Sequence, residues 1–293
     1  MTALTLDPLN RADRSAFVAA LGSIYEHSPW VADAIYGQRP FASLNALHEA
    51  MKSAVRAVGD DRILALLNLH PDLAGKAAQA GTMAADSVSE QGSAGLDQLS
   101  KSEFERFQTL NAAYKKQFGF PFIVCVRRHT KDSIFRQFEE RLRNDTATEY
   151  KAALDEIFRI TALRLDQHIA AKERLAVHGF MDVHVIDLAT GLPATGMAVE
   201  VYELSATGPE RKRASATIDT KGLPDRPFFP AQPIPMGQYE LRFKVGDYFA
   251  GDAKEPRFLD VVPVRFAVAD AEGSYHIALR VTPWTYSVYR GSL

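Results

Sequence analysis

Residues 149–188, EYKAALDEIFRITALRLDQHIAAKERLAVHGFMDVHVIDL, contain two incompatible periodicities. In the first half Tyr150, Leu154, Ile157, Thr161 and Leu165 recur every three or four positions, which lines one face of a helix running from about Glu149 to Ile169. In the last nine residues Met181, Val183 and Val185 alternate with other side chains, the period that puts apolar groups on one face of a strand. Between them AAKERLAVHGF, residues 170–180, follows neither rule. The chain changes architecture here, with an all-α domain over 1–169, a linker over 170–180 and an all-β domain over 181–293.

Both halves extend these patterns. Upstream, Leu44, Leu47, Met51, Val55 and Val58 form one helical stripe, and Phe104, Phe107, Leu110, Tyr114 and Phe118 form another. The second has a start signal, since Ser100 followed three residues later by Glu103 is a capping box. Downstream, Tyr275, Ile277, Leu279 and Val281 alternate in SYHIALRV. Turn signals at Thr190 to Pro193, Ser205 to Pro209, Lys221 to Pro227 and Ala271 to Gly273 divide this half into short strands, as in a β-sandwich.

A chain of 293 residues is long for one core and comfortable for two. A net charge of −2 gives no electrostatic case for nucleic acid or an acidic membrane surface. No run is long enough to span a bilayer, the N-terminus lacks the uninterrupted apolar stretch of a signal peptide, and the ending Gly291-Ser292-Leu293 is not a peroxisomal address. A cytoplasmic protein is expected. The single cysteine, Cys125 in FIVCV, has no intrachain partner and reads as a small buried hydrophobe.

Several polar residues stand out against these patterns. His70 follows the apolar run ILALLNL and precedes Pro71, which places it where a helix gives way to a turn. Glu90 lies twenty residues on, with Ser87 before it and Gln91 after it. Ser87 and Glu90 fit a second capping box, or else an acid and a hydroxyl beside a candidate base; Gly92, Ser93 and Gly95, which follow, form helix poorly. Arg164 lies seven residues after Ile157, almost two turns, and so projects close to an apolar helix face. A guanidinium there needs an anionic partner, either a structural carboxylate such as Glu90 or a carboxylate on a substrate. In the β half, His184 and His276 alternate out of phase with the aliphatic residues and point away from the core. They are simply solvated or, with Arg290 and Ser292, form a polar site at an interface.

HPDLAGK (70–76), SVSEQGSAGL (87–96), NAAYKKQFGFPFI (111–123) and the LRL of 163–165 resemble, in type and order, the decarboxylases of 2-oxo-4-hydroxy-4-carboxy-5-ureidoimidazoline (OHCU). The resemblance covers roughly residues 10–168 and implies cofactor-free decarboxylation. It makes His70 the acid/base, Glu90 its carboxylate partner, and Ser87 and Gln91 ligands of the substrate's polar edge. Arg164 becomes the anion anchor, with Pro71 and the FGFPFI residues Phe118, Phe122 and Ile123 also binding substrate. HVIDLATGLPA (184–194), GDYF (246–249), YHIAL (275–279) and YRGS (289–292) resemble the transthyretin-related 5-hydroxyisourate hydrolases. That likeness implies water activation by His184 and His276, with Tyr289, Arg290 and Ser292 at the end of the chain closing the pocket. One departure stands out: these hydrolases place an arginine directly after the glycine of a DGR-type turn. In TKGLPDRPFF the position is Leu223, and Arg226 three residues on would have to reach the anion instead.

The two resemblances imply consecutive reactions, hydrolysis of 5-hydroxyisourate to OHCU and decarboxylation of OHCU to (S)-allantoin. A bifunctional enzyme acting on small molecules is expected, without metal or cofactor, assembled as a homotetramer or higher oligomer. The competing reading is a monofunctional decarboxylase whose sandwich serves as an oligomerisation or small-molecule-binding module, and Leu223 is its best argument.

Overall fold

The computed structural model describes residues 4–75, 85–206, 208–250 and 258–291; Ser292 and Lys76 of the motifs above lie outside the described residues. The chain forms two compact units, Met1–Arg127 with Ile134–Val177, and Arg128–Ser133 with His178–Leu293. An α-helical region is followed by β-sheets, as the change of period implies.

In the helical region, described helices run over Leu6–Arg11 (α1), Arg14–Leu21 (α2), Trp30–Ile35 (α3), Leu44–Arg56 (α4), Asp60–Asn68 (α5), Ala85–Ser93 (α6), Lys101–Phe118 (α7), Lys131–Arg141 (α8) and Thr146–His168 (α9), all in the first unit except the opening residues of α8, up to Ser133. Side chains in the sequence set several of the boundaries. The hydroxyl of Ser43 caps α4, Ser100 and Glu103 close the capping box of α7 in both directions, and Asp145 caps α9. Gly119 ends α7 at φ +80°, a conformation that costs glycine little. Leu47, Met51, Phe107, Ile157 and Leu165 are fully buried in one core with Phe17, so the stripes read from the sequence meet. Leu175, inside the expected linker, packs into this helical core, and its N–H donates to Asp166.

α4 and α9 also share a polar contact. His48 lies 3.1 Å from the hydroxyl of Thr161, and burial, reinforced by Lys52, lowers its pKa to about 4. An imidazole buried in its neutral form stabilises the fold above the unfolded value of about 6.5, and that contribution is lost as pH falls toward 4. Urea unfolding should therefore show His48→Asn losing less stability than the wild type between pH 7 and 4.5, by about 1–3 kcal/mol. Equal slopes would show that His48 is not titrating.

The second unit is a sandwich of two four-stranded sheets, ordered β2-β1-β7-β8 and β4-β3-β5-β6. The strands are Phe180–Asp187 (β1), Leu192–Pro193 (β2), Ala198–Leu204 (β3), Arg211–Thr217 (β4), Gly237–Lys244 (β5), Val261–Val268 (β6), Ser274–Val281 (β7) and Tyr286–Gly291 (β8). Val183, Val185, Ile277 and Leu279 of the first sheet share a core with Val199, Leu241 and Phe243 of the second. β1 and β7 run parallel, with Asp182 opposite His276 and His184 opposite Ala278. The GDYF motif lies in a short helix, Val245–Ala250 (α10). Arg128–Ser133 adds to this unit through a two-pronged Arg128–Glu272 pair at 2.7 and 2.6 Å, and through Thr130, whose N–H donates to Met236 at 3.1 Å.

Candidate active sites

In the helical unit, His70, Pro71, Ser87, Glu90, Gln91, Phe122, Ile123 and Arg164 line one cavity, together with Leu73, Val124, Val126 and Ile160. His70 sits just past the end of α5, and its Nδ1 lies 3.0 Å from the carbonyl of Leu66. An Nδ1–H donated there leaves Nε2 as the nitrogen free to exchange a proton in the cavity. Burial pulls the imidazole pKa down, opposed by the charge of Glu26, which favours a neutral base.

The turn after His70 is built by distant side chains. Gln91 Oε1 accepts from the N–H of Ala74 at 3.0 Å, Asn111 donates to the carbonyl of Leu73 at 2.9 Å, and Lys115 pairs with Asp72 at 2.8 Å. The HPDLAGK, SxxEQ and NAAYKK motifs are thus parts of one support. Gln91 lines the cavity while bracing this turn.

Ser87 and Glu90 do not form the capping box that their spacing allows. Both lie inside α6, three residues apart and so on one face, directed at Arg164 of α9. Arg164 is buried, and its Nε and Nη2 donate to the two oxygens of Glu90 at 2.9 Å each. Its Nη1 donates to Glu26 Oε2 at 2.9 Å, and both Glu26 oxygens lie 3.1 Å from the Ser87 hydroxyl. Two carboxylates outweigh the burial of the guanidinium and raise its pKa. The side-chain hydrogen bonds of Glu90 go to Arg164 and that of His70 goes to Leu66, so the two line one cavity without the direct pairing expected of them.

The FGFPFI residues take different places. Phe118 does not line the cavity; its ring packs 4.7 Å from Tyr114 within an aromatic cluster, so its contribution is packing. The carbonyl of Ile123 is taken by Arg141 Nη1 at 2.7 Å, which leaves the side chains of Phe122 and Ile123 as the cavity wall. Glu26 has no marker in the sequence, because it lies in the loop between α2 and α3 where no periodicity applies.

In the β unit, the outer face of the first sheet carries His184, Asp182 and Ile186 on β1, His276, Ala278 and Arg280 on β7, and Tyr289 on β8. The two imidazoles lie 6.3 Å apart, centroid to centroid. His276 Nδ1 is 2.5 Å from Asp182 Oδ1, an arrangement that orients the ring and leaves Nε2 outward. The turn over 219–223 covers His184, since a Cβ on Gly222 would come within 2.7 Å of His184 Cδ2. Gly222, at φ +82°, is required there both by space and by conformation.

The two arginines expected at this site are engaged with other partners. Arg226 is exposed and forked onto its neighbour Asp225. Arg290 pairs in register with Ile277, so it belongs to the opposite face, where its guanidinium lies 5.1 Å from the Tyr275 ring and donates to the carbonyl of Ser274. Arg280 shares the histidine face and lies 3.5 Å from the hydroxyl of Tyr289. Asp182 and Arg280 were both readable from the sequence, because each is in phase with a histidine on its own strand. Among the described residues no three His, Cys, Asp or Glu side chains form a metal-binding set, and no helix is long and apolar enough to cross a membrane.

Comparison with known proteins adds to this geometry. The OHCU decarboxylase family model matches residues 10–166, and the HIUase/Transthyretin family model matches 181–291. The 2-oxo-4-hydroxy-4-carboxy-5-ureidoimidazoline decarboxylase of Haloferax volcanii is 43% identical over 172 residues, which cover 59% of this chain and 100% of that one. The uric acid degradation bifunctional protein PucL of Bacillus subtilis is 42% identical over 57% of this chain and 33% of its own longer one. A crystal structure of (S)-allantoin synthase aligns over 99% of this chain and 100% of that one, at 31% identity and a TM-score of 0.52.

Proposed function

The chain belongs to the OHCU decarboxylase family, with a second region from the HIUase/Transthyretin family, and from that premise we propose how its two sites convert 5-hydroxyisourate to (S)-allantoin. It is a bifunctional enzyme of urate degradation, a decarboxylase joined to a hydrolase. The observation that carries this reading is the end-to-end correspondence with (S)-allantoin synthase, together with the gathering of His70, Ser87, Glu90 and Arg164 on one cavity.

The hydrolase step belongs to the outer face of the β unit. His276, oriented by Asp182, takes a proton from water as it attacks a ring carbonyl of 5-hydroxyisourate. The C–N bond breaks, the proton passes to the leaving nitrogen, and the carbonyl carbon becomes a carboxylic acid that loses its remaining proton to solvent as the new carboxylate. His184 lies within reach of the same substrate. The anion-holding role expected of Arg226 falls to Arg280, the cation on the histidine face.

The decarboxylation belongs to the helical cavity. Arg164 draws the OHCU carboxylate toward the cluster. The C–C bond breaks, carbon dioxide leaves, and the electron pair spreads into the conjugated imidazoline ring. A proton delivered through His70 to one face of that carbon gives a single enantiomer of allantoin. The ring accepts the charge, so the protein has only to position, desolvate and protonate.

Arg280→Leu should lower kcat/KM for 5-hydroxyisourate by about 10²-fold, and Arg226→Ala should leave it within about twofold. The reverse order would return the role to Arg226. The exposed Leu192, Trp284, Tyr286 and Tyr289 on and around the histidine-bearing sheet support self-association through that sheet, in line with the homotetramer the resemblance implies. Light scattering of the intact protein tests it, with a monomer as the opposing outcome. The enzyme is proposed to be cytoplasmic.

The deciding experiment adds the protein to freshly generated 5-hydroxyisourate and follows its absorbance together with the circular dichroism of (S)-allantoin. Both signals should change faster than the uncatalysed reactions. If only the later step is accelerated, the β unit is a scaffold, the reading that Leu223 favours.

A further inference from the structure

Glu26 takes no part in the chemistry derived above, yet it sits behind the decarboxylase cavity with almost no exposure, at 3%. Its partners are Arg164 at 2.9 Å and the Ser87 hydroxyl. The charged groups tied to it are Arg164 from α9, through which Glu90 of α6 is held, and His70 beyond α5, which feels its charge; the other titratable groups on these elements are His168 on α9, Asp86 on α6 and His27 in its own loop. Of these, His168 and Asp86 face each other at 3.5 Å, and His27 is exposed. The inner cluster therefore consists of two carboxylates, one guanidinium and a neutral imidazole, which sum to one negative charge.

A substrate that brings its own carboxylate to Arg164 would raise this to two. Two uncompensated anions beside one buried cation are strongly unfavourable, and a proton from solvent removes the excess. We infer that Glu26 sets the resting charge of the cavity so that the substrate carboxylate enters together with one proton. This rests on the decarboxylase reading and specifies how that site works.

The charges then balance around the cycle. The carboxylate and the proton enter together; the C–C bond breaks and releases neutral carbon dioxide. The electron pair left on the ring takes the captured proton at carbon, so neutral allantoin departs and the cluster returns to its single negative charge. Decarboxylation consumes one proton per turnover, and Glu26 makes the protein collect it at binding rather than afterwards. Glu26 is a positioning residue, acting through Arg164 and Ser87 rather than by touching substrate.

The test titrates the intact protein with hydantoin-5-acetate, a stable ring carboxylate, and separately with allantoin, which has none. Calorimetry at pH 7.5 in buffers of different ionisation enthalpy counts the protons exchanged. The carboxylate ligand should bind with uptake of about one proton and allantoin with none. In Glu26→Gln the uptake should vanish, with kcat for OHCU lower by about tenfold or more and KM unchanged or lower. Glu26→Asp should restore both. Binding of the carboxylate without proton uptake overturns the inference, as does a Glu26→Gln enzyme whose KM rises while kcat is kept, the signature of a brace that only holds Arg164. A protein that turns over no OHCU would instead defeat the decarboxylase reading.

Discussion

Replacing His70 by asparagine is expected to lower OHCU decarboxylation by about 10²- to 10⁴-fold, the usual contribution of a positioned general acid or base. Asparagine can still donate to the Leu66 carbonyl that His70 faces at 3.0 Å, so the turn over 71–75 should keep its shape while the exchangeable nitrogen is lost. Hydrolysis of 5-hydroxyisourate should proceed as in the wild type, because His184 and His276 are untouched. OHCU would then accumulate and decay without the enzyme, and the allantoin formed should lose its circular dichroism. A variant within about tenfold of the wild type would mean that another group, with Glu90 the first candidate, delivers the proton.

The two units differ in how far their sites can be read from sequence. In strands the period of two is enough to place a residue on a face, and it put His184 and His276 outside the core, as the register confirms. The same rule reaches Asp182 and Arg280 once each strand is read through to its end. It fails at YRGS, where no aliphatic alternation fixes the phase. The pairing of Arg290 with Ile277, which sends it to the other face, follows only from the β7–β8 ladder. In the helical unit, the stripe around Ile157 placed Arg164 near the buried face, and the structure supplies the anionic partners that such a placement demands. Glu90 was one of them. Glu26 was not legible, because a loop residue joins a site only through the packing of α2, α3, α6 and α9. The helix α6 itself runs against local preference, since Gly92 lies within it. Bonds from Ser87 to Glu26 and from Glu90 to Arg164 are tertiary terms that outweigh the cost of about 1 kcal/mol for a helical glycine. Nor does any local signal mark Arg128–Ser133 as part of the β unit, an assignment that depends on Glu272 and Met236 more than a hundred positions away.

Glu149→Ala should destabilise the helical unit by about 3–5 kcal/mol, the usual result of leaving one charge of a buried pair uncompensated. Glu149 has no exposure, and Arg141 has little. Its carboxylate accepts from Arg141 Nε at 2.9 Å, from Asn144 at 2.7 Å and from the Tyr114 hydroxyl, whose pKa is raised chiefly by burial. Without it the guanidinium of Arg141 would keep only the carbonyl of Ile123 at 2.7 Å and the face of Phe122, whose ring centroid lies 4.6 Å away. Phe122 and Ile123 form the cavity wall, so decarboxylation should weaken before the unit unfolds. Urea unfolding followed beside the two activities separates these effects: the midpoint shifts, OHCU turnover declines and 5-hydroxyisourate hydrolysis persists. Glu149→Gln, which keeps an acceptor but not the charge, should fall between the alanine variant and the wild type. A loss below about 1 kcal/mol in Glu149→Ala would show that Arg141 finds water or another acceptor, and that the charge of Glu149 is not what holds the wall in place.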